Sequence, residues 1–103
     1  MTLNKNQIKY LRKMSHTQKS LFQMGKNGLT PTFMGQIDSA LERRELVKFN
    51  LLQNSDESLE EAAHAIASEL DAVVVQTIGS TAILFRPSSQ VKYQILSQKV
   101  KAL

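Results

Sequence analysis

Cysteine and tryptophan are both absent from this 103-residue chain. The first absence excludes disulfides, thiol catalysis and thiolate metal sites, and it fits a reducing compartment, so stability must come from packing. The second leaves four Phe and two Tyr as the only aromatics, which argues against a surface of stacked rings of the kind that single-strand binders carry. No run approaches the ~20 apolar residues of a membrane span, and Met1-Thr2-Leu3-Asn4-Lys5 lacks the apolar stretch of a secretory leader. A soluble, cytoplasmic protein without a membrane partner is expected. With 42% hydrophobic residues the chain is long enough for one core and too short for two.

Acidic residues are missing from the first third. Every charge before Asp38 is positive, namely Lys5, Lys9, Arg12, Lys13, Lys19 and Lys26, whereas every charge from Asp56 to Asp71 is negative. The net charge of +4 therefore hides a dipole, and such asymmetry points to a polyanionic partner, nucleic acid above all.

Local signals give the order of elements. Asn4 with Gln7 forms a capping box for a first helix running to about His16, on which Lys5, Lys9, Arg12, Lys13 and His16 make a basic stripe. A solvated face is the alternative reading of that stripe; the lack of any interleaved acid favours a ligand. Leu21–Met24 reads as a short strand. Thr30 caps a second helix with Pro31 at its first position, and Gly35 inside it hints at close backbone packing. Residues 45–52 alternate around Val47, Phe49 and Leu51 as a second strand. Ser58 and Glu61 box a third helix, and Val73–Ile78 and Ala82–Phe85 form a hairpin about Gly79-Ser80. The tail, 88–103, matches neither period and stays open between edge strand, helix and partial disorder. The expected fold is α/β, a single domain over 1–87 in the order helix-strand-helix-strand-helix-strand-strand, with helices packed on a mixed sheet.

Between first strand and second helix lies Gly25-Lys26-Asn27-Gly28. Two glycines permit positive φ and close approach, the unpaired amides of the following helix start favour an anion, and Lys26 adds a mobile cation. GxxG alone is a weak pattern. It is neither a Walker motif nor a dinucleotide fingerprint, and no cofactor is implied.

Candidates for catalysis are few. His16 lies among basic residues and His64 on the exposed side of the third helix, neither with a nucleophile or metal-ligand spacing. Asp38 and Glu42 form an acidic i, i+4 pair expected to face solvent or to meet Arg43, Arg44 or Lys48. No catalytic residue, metal site or small-molecule substrate is assigned.

Several motifs in order resemble the chloroplast RNA splicing and ribosome maturation (CRM) domain, specifically stand-alone bacterial YhbY-type proteins: Leu11-Arg12 with His16, Gln23-Met24-Gly25-Lys26-Asn27-Gly28-Leu29, Ile37-Asp38 with Ala40-Leu41-Glu42, Arg44-Glu45-Leu46-Val47-Lys48, Gln53-Asn54, Ile78-Gly79 and Phe85-Arg86-Pro87. The resemblance implies a fold similar to the C-terminal domain of a translation initiation factor, a KH-like glycine loop, RNA binding, and association with precursors of the large ribosomal subunit. Gln18 and Ser20 stand where the family usually has leucine and proline, and Phe85 where a tyrosine is frequent.

The reading is a non-catalytic RNA-binding protein. Gly25 and Gly28 shape the loop, Lys26 and Asn27 touch the RNA backbone, and Lys5, Lys9, Arg12, Lys13, His16 and Lys19 extend the surface, with Arg44 and Lys48 as a second tier. For that second tier an ion pair with Glu45 or Asp38 is the alternative. A protein-interaction adaptor, using the acidic third helix and the tail, is the competing function.

Overall fold

The computed structural model describes residues 2–25, 28–52 and 58–103. Helix α1 spans Lys5–Ser15, and the Asn4–Gln7 capping box is formed in both directions. Strand β1 (Phe22–Met24) precedes α2 (Pro31–Arg44), whose Thr30 cap accepts from the Phe33 amide. Strand β2 (Leu46–Leu51), α3 (Leu59–Leu70), β3 (Val73–Ile78) and β4 (Thr81–Phe85) follow. The tail resolves as helix: a 3-10 turn at Val91–Tyr93 leads into α4, Leu96–Lys101.

The sheet order is β1-β2-β4-β3, with β1 parallel to β2 and the other pairs antiparallel. Alternation along the strands divides the core between two faces. On one face Met24, Val47, Phe49, Ala82 and Leu84 meet Phe33, Ile37 and Leu41 of α2 and Ala62, Ala63 and Ile66 of α3. On the other, Leu46, Val75, Ile83 and Phe85 meet Leu11 of α1 and Val100 of α4. The tail is thus part of the core. Phe85 is fully buried, so a tyrosine hydroxyl there would have no access to a ligand.

Among the described residues, two outside glycine take left-handed φ, Glu45 at 67° and Asp71 at 55°. Both end helices, α2 and α3, with amides returned to Leu41 and Ala67 carbonyls. Residue 45 was expected in β2; it is the left-handed stop before it. Its side chain is buried, and the carboxylate accepts from the amides of Ser88 at 2.7 Å and Ser97 at 3.0 Å. One anion thereby joins the end of α2 to the tail and to the first turn of α4.

Gly35 corrects another expectation. It is exposed, and a Cβ built there meets nothing within 4 Å, so no close packing explains it. Gly35→Ala is expected to raise stability by about 0.5–1 kcal/mol through helix propensity alone. Chemical denaturation of the two proteins checks this.

Candidate nucleic-acid interface

The chain leaves β1 through the glycine loop. The Gly28 amide donates to the Gly25 carbonyl and the Thr30 amide to the Gly28 carbonyl, each at 3.0 Å. Gly28 is buried at φ 68°, a conformation that penalises any side chain. A Cβ on Gly25 would stand 3.8 Å from Leu52 Cδ1, an ordinary contact. The two glycines are therefore not equivalent. Gly28→Ala is expected to cost roughly 1–2 kcal/mol of stability and Gly25→Ala only a few tenths, as thermal unfolding would show. Lys26 and Asn27 lie outside the described residues.

The helix start offers an anion less than expected. Pro31 has no N–H, the Phe33 amide donates to Thr30 Oγ1 at 3.1 Å, and the Thr30 amide is engaged. Among the described residues, Thr32 keeps the one first-turn amide without an acceptor. Positive charge has to come from side chains.

Lys19, Arg44 and Lys48 supply it. They line one cleft of about 290 Å³ with Thr17, Gln18, Leu21 and Phe22. The connection from α1 to β1 passes here, and polar bonds hold it. Lys48 Nζ donates to the Gln18 carbonyl at 3.5 Å, and Ser20 Oγ donates to Asn50 Oδ1 at 2.9 Å. Asn50 also accepts from Thr81 Oγ1 at 2.9 Å, which ties β1's approach to β2 and β4.

The acids expected to neutralise Arg44 and Lys48 are occupied elsewhere. Asp38 pairs with Arg86 at 2.7 Å, Glu42 lies 3.9 Å from the same guanidinium, and Glu45 is turned inward to the tail amides. Arg86 further donates to the carbonyls of Leu70 and Asp38, capping α3 and clamping it to α2. The Ser89 amide, then the Ser88 and Ser89 hydroxyls, and last Arg86, hold the Glu42 carboxyl below the ordinary carboxylate range. Arg44 and Lys48 make no ion pair among the described residues.

From this cleft the surface continues along α2. A groove of about 810 Å³ shares Leu21, Phe22 and Arg44 with it and adds Thr32, Gly35, Gln36, Ser39, Arg43 and Tyr93. Thr32 and Gln36 in turn border the hollow at Gly25 and Gly28. Loop, groove and basic cleft form one channel between the outer face of α2 and the open edge of β1. Tyr93 had no place in the sequence reading, because the tail showed no period. Its ring has Lys92 Nζ at 5.0 Å and Arg43 Cζ at 5.9 Å from the centroid, contacts worth about 0.5–1 kcal/mol each where exposed.

The α1 stripe stands apart. Lys5, Lys9, Arg12, Lys13 and His16 are all exposed, on the sheet face opposite α2 and α3. Lys19, just beyond α1, is the member of the basic set that reaches the channel. His64 is exposed on α3, and no cluster of potential metal ligands occurs among the described residues.

A family model described as the CRS1 / YhbY (CRM) domain matches residues 3–86. The chain is 38% identical over 90 residues to "Probable RNA-binding protein YqeI" of Bacillus subtilis, covering 87% of this chain and 94% of that protein. It is 34% identical over 94 residues to an "RNA-binding protein" of Haemophilus influenzae, covering 91% and 95%. Among solved structures, a Staphylococcus aureus protein described as "a putative RNA binding protein" superposes with a TM-score of 0.73 at 36% identity, over 87% of this chain and 94% of that one.

Proposed function

Because the chain belongs to the CRS1/YhbY (CRM) domain family, we propose that it binds RNA along the channel and acts by binding rather than by catalysis. The observation that carries this reading is the trio Lys19, Arg44 and Lys48, which make no ion pair among the described residues, in a cleft continuous with the hollow at Gly25 and Gly28. Three cations converge there while nearby acids serve the scaffold, and such a cleft follows a phosphate backbone. Lys26 and Asn27 at the loop tip and the α1 stripe extend the footprint.

The RNA in this reading is ribosomal, exposed in precursors of the large subunit, and the site of action is the cytoplasm. A surface of cations and small polar groups binds RNA shape and backbone, and it loses its target as the particle matures and that RNA is covered. Cells lacking the protein are expected to accumulate large-subunit precursors in sucrose gradients, and tagged protein to sediment with those precursors. Normal profiles, with protein confined to ribosome-free fractions at low salt, would overturn the ribosomal assignment.

One observation favours the adaptor reading: Val91 and Ile95 of the tail are 81% and 71% exposed. Salt separates the two. Phosphate neutralisation gives a steep dependence of affinity on salt, and an apolar protein interface does not.

A further inference from the structure

The tail brings a second aromatic ring, in addition to that of Phe22 in β1, to a groove otherwise lined by aliphatic, polar and cationic groups. Tyr93 belongs to the 3-10 turn and not to residues 3–86 matched by the family. It is partly exposed and lines the groove with Arg43 and Arg44. From Thr32 to Arg43 the outer face of α2 runs roughly 16 Å, carrying Gly35, Gln36 and Ser39. One end of this track is the hollow at Gly25 and Gly28. The other end has a ring flanked by two cations.

We propose that Tyr93 is a stacking post for an unpaired RNA base, with Arg43 and Lys92 exchanging their loose contacts with its ring for the flanking phosphates. The proposal rests on the RNA-binding reading above and adds to it a preference for a single-stranded segment. The chemistry is that of aromatic stacking joined to cationic backbone contacts, which any base can satisfy. An A-form duplex would not serve, because its bases are stacked on one another and closed to a side-chain ring.

The absence of tryptophan makes the post directly readable. In a Tyr10→Phe background Tyr93 is the only tyrosine, so its fluorescence reports on its own environment. Short single-stranded oligoadenylate is expected to quench that emission, and the same strand annealed into a duplex to leave it unchanged. Tyr93→Ala is expected to weaken oligoadenylate binding roughly tenfold or more, with the salt dependence preserved because no charge is removed. Tyr93→Phe is expected to keep wild-type affinity. Tyr93→Leu, which retains apolar packing of the tail and lacks a π-face, is expected to stay weak.

Wild-type affinity in folded Tyr93→Ala, or its recovery in Tyr93→Leu, would overturn the stacking post while leaving RNA binding standing. Equal quenching by strand and duplex would overturn the preference for unpaired bases. Failure of the wild-type protein to bind any RNA would remove both this inference and the reading beneath it.

Discussion

Lys19→Glu combined with Arg44→Glu is expected to reduce RNA affinity at low salt on the order of a hundredfold. The slope of log affinity against log salt should become shallower by about 1.4–1.8, since each lost phosphate contact removes roughly 0.7–0.9. Both side chains are exposed, line the same cleft and make no ion pair among the described residues. The substitutions therefore change the surface without leaving a buried partner unmatched, and the circular dichroism spectrum should be retained. Lys9→Glu with Arg12→Glu and Lys13→Glu is expected to lower the slope as well, through RNA that passes from the cleft by Lys19 and His16 onto α1. An unchanged slope in that triple variant would confine the footprint to the α2 face of the sheet. Unchanged slopes in both would return the protein to the adaptor reading.

The second large effect concerns stability. Glu45→Ala removes the acceptor of two amides, one of them buried, and each orphaned donor costs about 1–3 kcal/mol. A total loss of roughly 2–4 kcal/mol is a large part of the ~5–15 kcal/mol that holds a domain of this size. The midpoint of thermal unfolding should fall by roughly 10–30 °C. Glu45→Gln keeps one carbonyl oxygen and should lose about half as much. Glu45→Gly loses the same bonds as alanine but escapes the left-handed strain at φ 67°, so it should be the more stable of the two by about 1 kcal/mol. A midpoint within a degree of wild type in Glu45→Ala would show that water replaces the carboxylate at no cost.

Glu45 also illustrates where the sequence stops being legible. Its place in an alternating run, with Val47, Phe49 and Leu51, made it the first residue of a strand. Its partners are amides 43 and 52 residues further on, in a tail whose own pattern announced nothing. Caps behave differently. Asn4 with Gln7 and Thr30 with Pro31 are local devices, so the helix starts and the order of elements could be read directly. Sheet order and the burial of Val100 against α1 depend on pairings between distant segments, and neither leaves a local mark.

The same division holds for the channel. The glycines and the cations were visible as residue types. Which cations converge was not, because the exposure of Arg44 depends on Asp38 and Glu42 being drawn to Arg86, 48 and 44 residues away in the chain. Gly35 misled for a related reason: a helical glycine signals either a close neighbour or an open surface, and only the fold shows the groove beside it.

The open edge of the sheet has a bearing on motion. Strand β1 holds only three residues and pairs with a single neighbour, β2, whereas β4 is paired on both sides. Local opening costs least where the ladder is shortest. The amides of β1 are thus set to exchange with solvent through detachment of that strand alone, while β2, β4 and β3 stay closed. One wall of the channel is then the most easily opened strand of the sheet. An occupant lying along it would act as a temporary restraint, and its arrival would be recorded as slowed hydrogen exchange at Gln23 and Met24 with the rest of the sheet unaltered.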